Sequence, residues 1–200
     1  MIFHISRKGF EIMSNRFRSA VMSACAAASA VALALSGASS AAAATYADQD
    51  LVNKSDGGRL ALYGNGTGEG AHAIALRAPA YKYSTEAWDA VQAGAGGSTG
   101  FVLKNRAANK CLQPHTGTPA RGMRIVVRTC DGSALQTWSL KPETVGMAHT
   151  GWWMWRPLVK QDLAMAVDRY SDGAWSSLHL DTAYPSSDRL WQLGPNDTAW

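Results

Sequence analysis

Three tryptophans, Trp88, Trp138 and Trp191, stand 50 and 53 residues apart in a chain of 200 residues, and each closes a stretch with the same landmarks in the same order. A short alternating apolar run precedes each: Ala73-Ile74-Ala75-Leu76, Arg124-Ile125-Val126-Val127 and Ser177-Leu178-His179-Leu180. Before each run comes a glycine, Gly70, Gly122 or Gly173, and before that a hydrophobic start, Leu60-Ala61-Leu62, Cys111-Leu112 or Met165-Ala166-Val167. Earlier still lie Leu51-Val52-Asn53, Leu103-Lys104-Asn105 and Leu158-Val159-Lys160. Such a period means one supersecondary unit used three times. The apolar runs are short, lack a helical period and are separated by Gly, Asn, Asp, Ser and Pro, which predicts an all-β fold. Three units of four short strands make about twelve, and three hairpins arranged in a ring close a barrel without exposed edges. The repeats run over about 48–93, 101–143 and 154–196 of a domain spanning 45–200, with Ala93 to Gly100 and Thr144 to Trp153 read as loops.

The first 44 residues differ in kind. Arg7, Lys8, Arg16 and Arg18 precede an apolar, small-residue run from Val21 to Ala38, and Ala-rich sequence follows. This pattern predicts a secretory signal peptide over 1–44, cut after Ala44 or Ala47. The alternative, a membrane anchor, is disfavoured by an Ala-rich run diluted with Ser and Gly. Of the 19 basic and 15 acidic residues, four basic and one acidic lie in this segment, so the rest of the chain is balanced to within about one charge. A basic face for nucleic acid is therefore not expected. Outside this segment there are two cysteines, Cys111 and Cys130. An even pair in an exported chain reads as one disulfide, the alternative being two free buried thiols.

The middle repeat contains Leu103-Lys104-Asn105 through Lys110-Cys111-Leu112, then Val126-Val127-Arg128-Thr129-Cys130-Asp131-Gly132 and Gln136-Thr137-Trp138. With its Lys-Cys-Leu, Thr-Cys and Gln-x-Trp marks it resembles the ricin-type β-trefoil lectin family. The likeness is specific over 101–141; the outer repeats carry Glu86-Ala87-Trp88 and Arg189-Leu190-Trp191 in place of Gln-x-Trp. The resemblance implies a β-trefoil, a Cys111–Cys130 bridge, and core roles for Trp88, Trp138 and Trp191, with Gln136 a core amide that satisfies backbone groups.

Sugar-binding lobes of that family use an aspartate after the Cys-Leu pair, an aromatic before the second cysteine region, and an Asn beside the Gln. Acid and amide take hydroxyls while the ring covers the apolar sugar face. In the middle repeat these places read Gln113, Arg128 and Leu135, and in the first Tyr63, Arg77 and Thr85, so neither fits. The third offers Asp168 and Asp188, with Asp181 in the aromatic place and Tyr170 and Tyr184 in flanking loops, so Asp168, Tyr184 and Asp188 are the candidate carbohydrate contacts. A second candidate surface is Gly151-Trp152-Trp153-Met154-Trp155-Arg156-Pro157. Strand alternation puts Trp153 and Trp155 on one face and Trp152 and Met154 on the other, leaving Trp152, Trp153 and Trp155 as a candidate interaction patch.

No catalytic constellation is found: His72, His115, His149 and His179 are dispersed, no Gly-x-Ser-x-Gly occurs, and Gly64 to Gly70 reads as a hairpin loop rather than a phosphate loop. No metal site and no cofactor is expected. The reading is a secreted, non-enzymatic recognition protein whose partner is a glycan. The alternative is an interaction subunit that docks another secreted protein, such as a toxin component, through the tryptophan face and the segment Thr45 to Asp50.

Overall fold

The computed structural model describes residues 44–77, 82–93, 100–168 and 173–196. The export segment read from the sequence, all but its last residue, and Tyr170 lie outside them. Among the described residues the chain forms twelve strands: β1 (Thr45–Asn53), β2 (Arg59–Leu62), β3 (Ala73–Leu76), β4 (Trp88–Ala93), β5 (Gly100–Asn105), β6 (Lys110–Pro114), β7 (Ile125–Arg128), β8 (Thr137–Val145), β9 (Ala148–Pro157), β10 (Leu163–Val167), β11 (Trp175–Thr182) and β12 (Trp191–Pro195). Antiparallel pairing runs β1 to β4, β4 to β5, β5 to β8, β8 to β9, β9 to β12 and β12 back to β1, a closed six-stranded barrel. The hairpins β2–β3, β6–β7 and β10–β11 cap one end. Closure removes the edges that would otherwise invite aggregation.

Each repeat tryptophan is fully buried. Its indole N–H donates to a carbonyl on the second strand of its own lobe: Trp88 to Leu60 at 2.8 Å, Trp138 to Leu112 at 3.0 Å and Trp191 to Met165 at 3.2 Å. The residue just before each tryptophan accepts from the next lobe. Arg106 N donates to Ala87 O at 3.0 Å, Leu158 N to Thr137 O at 2.8 Å and Lys54 N to Leu190 O at 2.9 Å. One dipeptide per lobe thus ties the lobe internally and to its neighbour.

These anchors correct two landmarks. Asn53 faces Trp191, Asn105 faces Trp88 and Pro157 faces Trp138, so the third lobe's counterpart of Leu51-Val52-Asn53 is Trp155-Arg156-Pro157, three residues before the expected Leu158-Val159-Lys160. Leu158 and Val159 are 39% and 46% exposed. The stretch from Thr144 to Trp153, expected as a loop, is instead the outer part of a long hairpin, because Thr144 faces His149 and Val145 faces Ala148 across Gly146-Met147. Gly146 has φ +62°, the conformation such a two-residue turn requires.

The place of Gln in Gln-x-Trp is met in three ways. Gln136 Nε2 donates to Gln113 Oε1 and to Thr129 O, both at 2.9 Å, and its Oε1 accepts from Asp131 N at 2.9 Å. Arg189 instead pairs with Asp188 at 2.6 Å and with Asp181. Glu86, fully buried, accepts from Tyr83 N at 2.6 Å, with the Arg59 guanidinium 4.0 Å away. Burial pushes the Glu86 carboxyl above its ordinary range; the Tyr83 N–H opposes this and the Asp50 charge reinforces it. The Cys111–Cys130 disulfide, Cα atoms 5.0 Å apart, ties β6 to the chain beyond β7.

Two stability predictions follow from this core. Trp138→Ala is expected to cost about 3–5 kcal/mol in urea unfolding, the range for an aromatic cavity. A carboxyl that holds its proton more tightly folded than unfolded makes stability fall as pH rises from the unfolded value, 4.5, through the raised folded one. Glu86→Gln, which restores the amide of the middle lobe, is expected to stabilise by on the order of 1 kcal/mol at pH 7 and to flatten that pH dependence. A lower melting temperature at pH 7 would instead mean that the contact with Arg59 outweighs burial.

Candidate functional site

The equivalences set by the barrel decide which residues stand in the sugar positions. Counting from the carbonyls that accept the indoles, the residue after Leu112 is Gln113, and its counterparts are Ala61 and Ala166, not Tyr63 and Asp168. The backbone confirms this, because Tyr63 N donates to His72 O, His115 N to Arg124 O and Asp168 N to Ser177 O, making Tyr63, His115 and Asp168 equivalent. Both alanines are fully buried. The separation of 26 residues between Trp138 and Leu112 recurs between Trp191 and Met165, so counting back from Trp191 could have found the register.

The three candidate carbohydrate contacts have different surroundings. Asp168 is half-buried just past the end of β10, and Tyr184 is 66% exposed in the loop before the short turn Ser187–Arg189. Asp188 is only 4% exposed, and its carboxylate accepts from Arg189 Nη1 at 2.6 Å. Arg189 also holds Asp181, which accepts from Arg121 Nε at 2.6 Å. Burial pushes the Asp181 carboxyl up, but the Thr182 N–H and the two guanidiniums outweigh it and hold it below the usual range. Asp188 is therefore a buried structural anion, a correction to its reading as an open sugar contact: the arginine in the Gln place draws the acids inward.

The tryptophan patch divides as well. Trp155 is 1% exposed, because it takes the barrel-interior place of Leu51 and Leu103, and it is not part of an exposed patch. Met154 is equally buried. Trp152 is half-buried, with Lys54 Nζ 5.8 Å from its ring centre. That ammonium is held by Glu143 at 2.6 Å, and Glu143 also accepts from Thr150. Trp153 is half-buried beside the core and stacks with His149 at 6.4 Å.

A cleft not anticipated from the sequence lies where the three hairpins meet. It measures about 140 Å³ and is bordered by Tyr63, His72, Arg124, Trp175 and Ser177. Tyr63 and Trp175 meet edge to face, centroids 4.9 Å apart at 72°. Isolated bridges from His72 to Val126 and from Arg124 to His179 stitch the hairpins around it. The ladder registers make Leu180, Val127 and Ala75 equivalent, so Trp175 stands where the other lobes have Gly122 and Gly70, and Gly173 is not their counterpart. This aromatic without a partner in the other repeats was the legible signal. Burial, with help from Arg124 and His115, holds the His72 imidazole below its ordinary value, which keeps it neutral at pH 7. The cleft thus joins two rings to a guanidinium, a hydroxyl and a neutral imidazole. Among the described residues no group of three or more His, Cys, Asp or Glu side chains could hold a metal ion, and no helix is long and apolar enough to cross a membrane.

No protein-family profile matches the chain, and no curated protein sequence does. Solved structures do. The designed three-fold symmetric protein ThreeFoil superposes with a TM-score of 0.61 at 19% identity, over 72% of this chain and 96% of that one. The Macrolepiota procera ricin B-like lectin, solved with lactose, gives 0.56 at 13%, over 77% and 96%. A mosquitocidal holotoxin gives 0.61 at 14% over 78% of this chain, which spans only 17% of that much longer protein. The fold shared with these proteins, a barrel of six strands capped by three hairpins, is the β-trefoil.

Proposed function

We propose that this protein is an exported, non-enzymatic recognition module that binds carbohydrate in the cleft between its hairpins. The observation that carries the reading is the Tyr63–Trp175 pair beside His72, Arg124 and Ser177. Aromatic faces suit the C–H face of a sugar ring, while guanidinium, hydroxyl and imidazole suit its hydroxyls. A lectin solved with lactose shares the fold, which supports the class of ligand. The acid and amide places of all three repeat pockets lack an open acid and an amide pair, which moves the expected contact to the cleft. The disulfide and the N-terminal segment support an oxidising compartment.

A second reading, an interaction subunit, rests on the β8–β9 hairpin. Its tip carries Val145 and Met147, 70% and 102% exposed, on the arm that holds Trp152 and Trp153. The holotoxin that shares the fold is consistent with a role of this kind.

A glycan array with the purified protein separates the two. The expected result is a defined glycan hit competed by free sugar, weakened at least tenfold by Trp175→Ala or Tyr63→Ala, and changed less than twofold by Asp168→Ala or Tyr184→Ala. Loss on Asp168→Ala with Tyr63→Ala silent would return the site to the third lobe. A blank array beside a stoichiometric protein captured from the native culture supernatant, released by Met147→Asp, would establish the second reading instead.

A further inference from the structure

At the end of the barrel opposite the hairpins is a second, larger concavity of about 470 Å³. Every barrel strand supplies a wall: Tyr46 from β1, Gln92 from β4, Phe101 from β5, Leu140 from β8, Trp153 from β9 and Leu193 from β12. The three-fold equivalences explain why it is hollow. Two residues after the repeat tryptophans stand Ala90, Leu140 and Leu193; facing those tryptophans stand Gln49, Phe101 and Trp153. The first lobe therefore contributes an alanine and a glutamine where the other two contribute large apolar side chains. A break in register between Tyr46 and Gln49, with Asp48 at φ +56°, turns the Gln49 amide back onto Ala47 O at 2.8 Å and Asp48 O at 3.3 Å. Without those two apolar side chains, the wall on that side of the mouth is made by Tyr46 and Gln92.

We propose that this cavity binds an uncharged, apolar small molecule with a ring system. The volume is far above that of a water or an ion and falls within the range of small-molecule pockets. None of its lining residues is charged, which disfavours phosphates, nucleotides and chain termini. Its polar groups are one amide and one phenol, so a hydroxyl-rich sugar would leave most of its hydroxyls unpaired. Rings stand on three walls, with Tyr46 and Phe101 6.1 Å apart and Trp153 across the mouth, an arrangement that takes a flat apolar body face-on or edge-on. The site is separate from the hairpin cleft in position and chemistry.

The test is titration of the purified protein with N-phenyl-1-naphthylamine, an uncharged fused-ring probe that fluoresces strongly only in apolar surroundings. The expected result is saturable one-to-one uptake. Ala90→Leu, which supplies the side chain the first lobe lacks, is expected to weaken it at least tenfold, and Tyr46→Ala, at a residue 51% exposed, at least threefold. Near-UV circular dichroism reports whether each variant keeps its packing. Absence of saturable uptake, or uptake that Tyr46→Ala and a folded Ala90→Leu both leave unchanged, overturns the proposal. So does a wild-type dimer that takes up probe only after Met147→Asp disperses it, since the cavity would then house the hairpin tip of a second copy.

Discussion

The indole N–H of each repeat tryptophan, buried and bonded to a carbonyl on the second strand of its own lobe, is the contact from which the rest of the molecule is organised. A buried donor must be satisfied, and a backbone carbonyl on the lobe's own hairpin is the partner each one finds. The bond therefore fixes how far the capping hairpin leans over the barrel. The carbonyl just before each tryptophan accepts from the residue that follows the first strand of the next lobe, so the same dipeptide also sets how one lobe meets the following one. Three copies of this arrangement close the ring.

With the backbone held at those points, the residue two before each tryptophan is free to vary. The three lobes place an amide, a carboxylate and a guanidinium there: Gln136 with Gln113, Glu86 with Arg59 and Asp50, and Arg189 with Asp188 and Asp181. All three are polar solutions at the same place beneath the hairpins, and their partners Gln113 and Asp188 are the residues that stand in places the resemblance assigns to sugar contacts. In the third lobe the cost of burying a guanidinium is offset by drawing two acids onto it. Polar groups spent on core satisfaction are unavailable for other contacts, and the open concave surfaces of the molecule lie elsewhere.

Those surfaces arise where the three-fold pattern is broken. At the hairpin end, Trp175 replaces a turn glycine, lengthens β11 and meets Tyr63 over a cleft. At the barrel mouth, Ala90 and the folded-back Gln49 stand where the other lobes place Leu140, Leu193, Phe101 and Trp153, beside a concavity that those four side chains help to line. On the flank, the β8–β9 arm runs past the barrel to an apolar tip. Symmetric positions make the scaffold, and departures from symmetry make its concavities.

The repeat period, the alternating runs and the Lys-Cys-Leu to Gln-x-Trp marks were enough to determine an all-β architecture of three hairpin units and the core tryptophans, because burial patterns and turn residues are local properties of the chain. What pairs with what was not local. Trp155 reads as a patch residue beside Trp152 and Trp153, yet the ladder from Trp138 to Pro157 puts it in the barrel interior. Asp168 follows a hydrophobic start that looked like Cys-Leu, yet it lies two residues beyond the position it was given, since a two-residue error keeps the same face of a strand and leaves the alternation unchanged. Tyr63 and Trp175, more than a hundred residues apart in sequence, meet only because β11 pairs with β3. Strand register across lobes is set by long-range hydrogen bonds that no short window of sequence contains, and those bonds alone decided which side chains share a surface.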